Sequence, residues 1–312
     1  MPGLVPGIHG FTMVPPSKTW MAGTSPAMTE RKIRVSLGVE QTGQEQTFLA
    51  NRATGHIDLS VMAQGGVTRR ARVDEHGSLR VRFPNGSGDA LEAVIVNTGG
   101  GMTGGDRFTI DIEVGEGAHL VAGTAAAEKI YRSIGPSTEM DVKLKVAPGG
   151  RLFWLPQETI LFDRVRLSRR IDVDVAEGAS LVLAEAVIFG RAAMGEALLE
   201  GSFIDLWRVR LGGKLVYADT ARLDGGIAAQ LANCVVANGG IAMATVLIVP
   251  GAEAAIEQVR ALGGTLSGEV GISAWNGIAV ARLVANDGAT LRRDLIAVLA
   301  ALGTPVPRLW LQ

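Results

Sequence analysis

Short runs of Val, Ile, Leu and Thr recur along most of the chain, and glycine separates many of them. Such runs have the length of strands, and glycine supplies the positive φ that tight turns require. The 41 glycines therefore indicate many short β-strands. Two stretches show helical periodicity instead, with apolar side chains along one face and glycine directly after the end. They are Ala252–Leu262 and Leu291–Leu302.

A heptapeptide pattern, Val-x-x-Gly-(Ala/Gly)-x-Leu, occurs four times in the middle of the chain, and a degraded fifth copy runs from Val73 to Leu79. Each copy predicts a strand, a tight turn and a second strand. The copies recur at spacings of 32, 29 and 34 residues, which is typical of stacked supersecondary units. We therefore predict a mainly β fold with solenoid-like stacked strands; ordinary hairpins in a sandwich are the alternative. The central glycines are Gly117, Gly149, Gly178 and Gly212.

The pattern changes after residue 240 to strand, helix, strand, helix. This predicts a C-terminal α/β portion over residues 240–312 that carries both helices. Residues 1–30 show no periodicity, and they lack the basic start and the continuous apolar stretch of a secretory signal. We interpret residues 1–30 as a disordered leader or an extension of the start site, and residues 31–312 as a single β-rich domain.

Composition and charge exclude several classes of protein. The net charge is −1, from 30 basic and 31 acidic residues, which argues against a polybasic nucleic-acid binder. The longest apolar run, Ile241–Val249, is far shorter than the ~20 residues that span a bilayer. The single cysteine, Cys234, cannot form an internal disulfide, which fits a reducing compartment. We expect a cytoplasmic protein that binds neither nucleic acid nor membrane.

The stretch Asn97–Asp106 is dense in glycine, but it does not match a phosphate-binding loop. It lacks Gly-Lys-Ser/Thr, and Arg107–Val114, which follows, has the pattern of a strand and not of a helix. We interpret most of its glycines as places where the backbone crosses too closely for a side chain. Asp106 is a candidate cation ligand, because its carboxylate lies beside so much bare backbone.

The histidines argue against a resident transition-metal centre. None forms a His-x-x-His or His-x-x-x-His pair, and Cys234 has no cysteine partner. Neither the Gly-x-Ser-x-Gly motif nor the His-Glu-x-x-His motif is present. We therefore expect no tightly bound cofactor. The histidines are His9, His56, His76 and His119.

Four carboxylates are embedded in apolar sequence, where charged side chains are rarely buried unless they are paired or coordinate a metal. They follow the repeat leucine by eight, six, four and four residues, and stacking would place them in one column. Each one alone is more simply interpreted as a charge on an edge strand that faces water. Arg191 is a candidate counter-charge, and Glu196 follows it closely. The four carboxylates are Glu128, Glu158, Glu185 and Asp219.

Seven stretches, in order along the chain, resemble the signature of the UreD family of urease accessory proteins. The resemblance runs from about Arg69 to the end of the chain. It implies a β-rich, solenoid-like protein that is not an enzyme. It further implies a urease maturation scaffold that binds UreF-like and UreG-like accessory proteins and the urease apoprotein and assists nickel delivery. The stretches are Asn97–Asp106, Ala126–Ser133, Leu155–Phe162, Gly190–Glu196, Leu215–Asp219, Ser273–Gly277 and Pro307–Trp310.

The resemblance also implies a path for Ni²⁺ as a transient cargo. Oxygen-rich sites suit weak transit of a divalent ion better than tight capture. We hypothesise that hydrated Ni²⁺ moves between weak carboxylate sites in the protein. Glu128 and Glu158 enter this hypothesis from the residues alone. The positions that match polar positions of the family's proposed internal passage are Asp106, Glu185, Arg191 and Asp219.

Two alternatives stay open. A secreted or periplasmic β-helical enzyme acting on carbohydrate would use acid pairs on the face of the solenoid. It would also need aromatic platforms for sugars, and aromatic residues make up only 5% of the chain. A purely structural chaperone would share the partners of a maturation scaffold but would not pass nickel.

Overall fold

The computed structural model describes residues 52–84, 90–191 and 194–311, so the interpretation of residues 1–30 falls outside it. The described residues belong to one compact unit that begins at Arg52. Most of them form two β-sheets that share an apolar core. The predicted mainly β fold is confirmed.

The strands follow one another with few helices between them. In chain order they are β1 (Thr54–Gln64), β2 (Val67–Gly77), β3 (Leu79–Arg82), β4 (Leu91–Asn97), β5 (Arg107–Val114), β6 (His119–Thr124), β7 (Glu128–Ile130), β8 (Thr138–Val146), β9 (Arg151–Leu155), β10 (Thr159–Leu161), β11 (Val165–Val175), β12 (Ser180–Arg191), β13 (Glu196–Ala197), β14 (Gly201–Leu211), β15 (Lys214–Gly225), β16 (Ala242–Val249), β17 (Glu269–Trp275) and β18 (Ile278–Ala285). The α-helices are α1 (Ile227–Leu231), α2 (Glu253–Arg260) and α3 (Gly288–Ala301), and 3₁₀ turns lie at Gly263–Thr265 and Arg308–Leu311.

The chain winds back and forth between the two sheets, and each turn of the chain adds a strand to both. In the first sheet the order is β15-β14-β11-β8-β5-β1-β2, and its inner strands from β14 to β1 run parallel. In the second sheet β4, β6, β9 and β12 are parallel neighbours. This arrangement confirms the predicted solenoid-like stack.

The repeated heptapeptide forms tight turns between strands, as predicted. In the first three copies the turn joins a strand of the first sheet to a strand of the second, and the degraded copy does the same between β2 and β3. The fourth copy differs, because its turn joins β14 to β15 as antiparallel neighbours within the first sheet. The central glycines all have φ between 57° and 76°, a region that favours glycine. They are Gly117, Gly149, Gly178 and Gly212.

Alternation of apolar and polar side chains places the main core between the sheets. In β11, Leu167, Ile171 and Val173 point inward and are buried, whereas Arg170 between them faces solvent. Such alternation is the period of a strand with one buried face. The inward position between Leu167 and Ile171 belongs to a charged residue, Arg169, which is buried as well.

The C-terminal portion extends the second sheet. Strands β16, β18 and β17 add to β12 in antiparallel fashion, and buried residues of α2 and α3 form a second apolar core with this part of the sheet. Both predicted helices are confirmed, but the predicted strand-helix-strand-helix order missed one strand of the β17–β18 hairpin. Helix α3 also begins before Leu291, because Asp287 caps it: its Oδ1 accepts a hydrogen bond from the Thr290 N–H at 2.8 Å.

In the glycine-rich stretch Asn97–Asp106, Asn97 ends β4 and residues 98–106 form tight loops that lead to β5. A Cβ atom on Gly104 would lie 1.8 Å from Ser133 Oγ and 2.5 Å from the Pro136 carbonyl oxygen. No side chain fits there, as the interpretation of a close backbone crossing requires. Among the described residues, no helix is long and apolar enough to cross a membrane.

Candidate functional site

An arginine lies in the core between the sheets, with a side chain that is only 1% exposed. Arg169 projects inward from β11, and Asp205 is its register partner on the neighbouring strand β14. The Arg169 Nε donates a hydrogen bond to Asp205 Oδ1 at 2.9 Å, and Nη2 donates to Oδ2 at 2.6 Å. This two-point contact is the strongest geometry available to an arginine and a carboxylate.

The same guanidinium reaches across the core to the second sheet. Its Nη1 donates a hydrogen bond to Oε2 of Glu185 on β12. The other oxygen of Glu185 accepts a hydrogen bond from Trp154 Nε1 on β9 at 2.8 Å. The cluster of Arg169, Asp205, Glu185 and Trp154, here called the core cluster, therefore connects two strands of each sheet.

The core cluster opposes one guanidinium to two carboxyl groups. Burial lowers the pKa of Arg169, but the carboxylates of Asp205 and Glu185 outweigh burial and raise it, so the guanidinium stays charged. Burial raises the pKa of Glu185, and the charge of Arg169 and the Trp154 N–H only partly offset this effect. Glu185 therefore takes up a proton more readily than an exposed glutamate.

A small cavity adjoins the core cluster. Its volume is about 20 Å³, and its lining includes Glu128, Gln157, Thr159, Arg169 and Glu185. A space of this size holds about one water molecule. Of the carboxylates selected from the sequence, Glu128 and Glu185 thus border the same space.

Glu128 is the second carboxyl group of this cavity. It lies at the start of β7, next to Thr159 of β10 in register, and its Oε1 accepts a hydrogen bond from Asn97 Nδ2 at 3.0 Å. Burial raises the pKa of Glu128 to about 7, and the hydrogen bond from Asn97 opposes this shift. Its carboxyl group therefore exchanges a proton near neutral pH.

Glu158 pairs with a helix instead of joining the cavity. Arg292 on α3 donates from Nε to Glu158 Oε1 at 2.7 Å and from Nη2 to Oε2 at 2.5 Å. The Arg292 Nη2 also donates to Gln157 Oε1 at 3.2 Å. These bonds fasten α3 to the segment before β10.

Asp106 is bonded to the backbone through both carboxylate oxygens. Oδ1 accepts a hydrogen bond from the Ala53 N–H at 2.8 Å, and Oδ2 accepts one from the Thr103 N–H at 2.7 Å. The side chain therefore fastens the segment that leads into β1 to the glycine-rich loops. This is a structural role, and it accounts for the burial of Asp106 without a cation.

Asp219 lies on β15, at the edge of the first sheet. Its Oδ2 accepts hydrogen bonds from the Tyr217 hydroxyl at 3.1 Å and from Arg282 Nη2 at 2.6 Å. The predicted column of four carboxylates is wrong at this position, because the fourth heptapeptide turns back within the first sheet and does not cross to the second.

The predicted counter-charge Arg191 pairs with Glu196 and not with the carboxylates of the supposed column. The guanidinium of Arg191 donates to Glu196 Oε2 and lies over the ring of Phe162, 4.1 Å from its centroid. The other oxygen of Glu196 accepts a hydrogen bond from the Asp163 N–H at 3.1 Å. This pair joins the end of β12 to β13.

Across residues 52–84, 90–191 and 194–311, no three His, Cys, Asp or Glu side chains are grouped so that they could hold a metal ion. The carboxylates selected as candidate nickel ligands are thus distributed over several surroundings, and of these five only Glu128 and Glu185 border the same space.

Comparisons with known proteins bear on the family of this chain. The family model described as UreD urease accessory protein matches residues 53–311. The urease accessory protein UreD of Rhodopseudomonas palustris strain BisA53 is 56% identical over 91% of this chain and 99% of the relative. For strain BisB5 the identity is 58% over 86% and 95%, and for Bradyrhizobium diazoefficiens it is 55% over 85% and 96%.

The chain belongs to the UreD family. The resemblance inferred from the sequence is confirmed, and membership supports a role in urease maturation. The relatives are named as accessory proteins and not as enzymes.

Sequence reasoning missed the two other charged members of the core cluster in this UreD-family chain, and it did not select Trp154 either. Arg169 lies in phase with Leu167 and Ile171, and Asp205 lies in phase with Phe203 and Trp207. A charged residue at an inward position of an alternating strand was therefore the available signal. The four carboxylates of the predicted column stand out for a different reason, which is that the residues before and after them in the sequence are apolar.

We predict that Arg169→Met lowers the free energy of unfolding by about 3–5 kcal/mol, because it leaves buried carboxyl groups without their counter-charge. Urea denaturation of the variant and the wild type measures this difference. A variant that also carries Glu185→Gln and Asp205→Asn has no charge in the core cluster, and it should regain much of the lost stability. If Arg169→Met alone is as stable as the wild type, the core cluster does not stabilise the packing of the two sheets.

We predict that Glu128→Gln stabilises the protein at pH 8 but has little effect near pH 4.5. The pKa of Glu128 rises from 4.5 to about 7 on folding, so wild-type stability falls as the pH rises through this window. The variant escapes a cost of up to about 3 kcal/mol, at about 1.4 kcal/mol per pKa unit. Thermal melts at both pH values measure the effect, and Glu116→Gln in an exposed turn is the control. Parallel pH profiles for Glu128→Gln and the wild type would contradict the prediction.

Proposed function

We propose that this UreD-family protein is a cytoplasmic scaffold for urease maturation. It binds the urease apoprotein together with UreF-like and UreG-like accessory proteins, and it assists nickel delivery. Family membership over residues 53–311 is the observation that carries this proposal. The contribution of the structure is an exposed apolar surface with the character of a protein-binding site.

This surface lies on loops between strands of the two sheets and on the segment between α1 and β16. Ile134 is 96% exposed and Val235 is 84% exposed, and Met194 and Leu199 are also exposed. Large apolar side chains exposed in this way are typical of sites that a partner covers. We call the surface formed by Ile134, Met194, Leu199, Val235 and Val236 the end-loop surface.

The end-loop surface is built on a rigid frame of hydrogen bonds between neighbouring loops. The Ser133 N–H donates to the Arg164 carbonyl oxygen at 3.0 Å, and the Arg164 N–H donates to the Glu200 carbonyl oxygen at 2.8 Å. The Asp163 Oδ1 accepts the N–H groups of Leu199 and Glu200 at 2.8 and 3.1 Å. The loops that carry Ile134 and Leu199 are therefore joined to each other through the Asp163–Arg164 segment, and such preorganisation lowers the entropic cost of association.

A groove of about 300 Å³ lies beside the exposed residues. It is lined by apolar side chains, which are Phe189, Ala197, Leu198, Ala228, Leu231, Ala232 and Ile241. A groove of this size accepts one or two apolar side chains of a partner. Anchors in such pockets supply much of the free energy of binding at protein interfaces.

The proposal includes nickel delivery. Glu128 and Glu185 are the groups best placed for a route between the two sheets. Both border the same cavity and both have raised pKa values. The cavity holds about one water molecule. A hydrated Ni²⁺ ion would therefore have to lose its water shell there, or the sheets would have to part.

A structural chaperone without a nickel path is the second candidate. The small volume of the cavity favours it, as does the complete engagement of Glu185 with Arg169 and Trp154. The two candidates share the partners and the end-loop surface, so only nickel transfer in an assembled complex separates them.

We predict that Leu199→Glu weakens the maturation complex at least about tenfold, because an unpaired charge buried in an interface costs more than about 1.4 kcal/mol. The variant is co-expressed with the UreF-like protein, the UreG-like protein and apo-urease. Affinity is measured separately for the UreF-like protein and for urease, and urease activity is assayed in parallel.

Met62→Glu is the matched control, since Met62 is also exposed but lies on β1, outside the end-loop surface. It should leave complex formation unchanged. Leu199→Glu with wild-type affinity for both partners would show that the end-loop surface is not the docking site. A wild-type chain that joins neither partner and does not affect activation would overturn the scaffold function itself.

We predict that Glu128→Gln allows the complex to assemble but lowers the nickel content of urease, because a neutral amide is a poor ligand for a hard or borderline cation. Nickel per urease active site is measured by elemental analysis of the purified complex. Wild-type nickel content in the assembled variant complex would instead support the structural chaperone.

A further inference from the structure

Two histidines that are distant in sequence lie opposite each other on the outer face of the first sheet. The antiparallel register of β1 and β2 pairs His56 with His76. Their rings are stacked, with centroids 6.3 Å apart and planes inclined by 20°. The His-x-x-His and His-x-x-x-His motifs identify only histidines that are close in sequence. An antiparallel pair of strands can bring together residues at any separation in sequence.

Acidic side chains surround this pair on the same face. The Nε2 of His76 lies 3.1 Å from Asp74 Oδ1. Asp58, the register partner of Asp74, accepts a hydrogen bond from Arg72 at 2.7 Å, and Asp111 follows in register on β5. A carboxylate beside one ring nitrogen can orient the imidazole of a metal-binding histidine while the other nitrogen binds the metal.

We propose that His56 and His76 form a surface site for a divalent transition-metal ion of the Ni²⁺ or Zn²⁺ type. Imidazole nitrogen is a preferred ligand for these ions. The site has two protein ligands, and water completes the coordination sphere, in keeping with the lack of any group of three metal-ligating side chains in the part of the chain described. Asp74 acts as the outer partner that orients His76.

Metal binding requires both imidazole rings to reorient, because their planes are now nearly parallel. A ring nitrogen binds such an ion at about 2.0–2.1 Å, so the two rings must turn towards each other from their present separation. The His76 side chain is 70% exposed and His56 is half-buried, and both stand on the outward side of their strands. The net charge of the five charged side chains named here is negative, which attracts a cation. They are Asp58, Asp74, Asp111, Arg72 and Lys143.

The proposed site does not depend on the end-loop surface or on the cavity. Metal binding by His56 and His76 is a property of the chain itself. If the scaffold function holds, the pair offers nickel a contact on the open face of the first sheet, outside the sandwich.

The test titrates the untagged full chain with Ni²⁺, and separately with Zn²⁺, by isothermal titration calorimetry. One equivalent should bind to the wild type. His56→Ala and His76→Ala should each abolish this binding, and Asp74→Asn should weaken it about tenfold, as the loss of an outer-shell partner does. In NMR spectra, paramagnetic Ni²⁺ should broaden the imidazole signals of His56 and His76 before those of any other residue.

His119→Ala is the matched control, since His119 lies on β6 in the second sheet and should leave Ni²⁺ binding unchanged. Thermal melts of all variants confirm that they are folded. The proposal is overturned if the wild type binds no Ni²⁺, or if His56→Ala and His76→Ala retain wild-type affinity. Because urease is absent from this titration, either outcome leaves the scaffold function to its own experiment.

Discussion

The alignment of the two sheets depends on the burial of one guanidinium. Arg169 is satisfied only when β14 places Asp205 beside it in one sheet and β12 presents Glu185 opposite it in the other. A slip of one residue in either sheet would leave a charge unpaired in the core, and such a charge costs several kcal/mol. It would also turn every inward side chain of that strand outward. Apolar contacts supply most of the stability, whereas the core cluster selects the register.

The turns could be predicted from the sequence because their cause is local. A turn with positive φ favours glycine, such as Gly149, whatever side chains surround it. The helical periodicity of α3 can likewise be recognised from the amino-acid sequence alone. Local sequence does not determine which sheet the strand after a turn joins. The fourth heptapeptide matches the same pattern as the first three, yet β15 pairs with β14, because the tertiary packing at the end of the stack decides where the strand lies.

The candidate site shows the same division. Apolar neighbours drew attention to Glu185 and Glu128, and both border the cavity. Glu158 does not, because successive side chains of an extended segment point in opposite directions: Thr159 faces the cavity, and Glu158 therefore reaches α3. Asp205 was not selected, because whether its side chain points inward depends on which face of β14 is buried. The buried face is indicated by Phe203 and Trp207, which alternate with outward-facing residues.

The hairpins at the two sides of the first sheet set a limit on growth. A stack of parallel strands can in principle be lengthened without end by further copies of the same unit, as fibres are. Here β2 and β15 are antiparallel to their neighbours, so among the described strands neither side of the first sheet continues the parallel repeat. The exposed arginines Arg69, Arg70 and Arg72 on β2 add like-charge repulsion between copies. Within the described residues, the parallel repeat of the first sheet is thereby bounded on both sides by a hairpin strand.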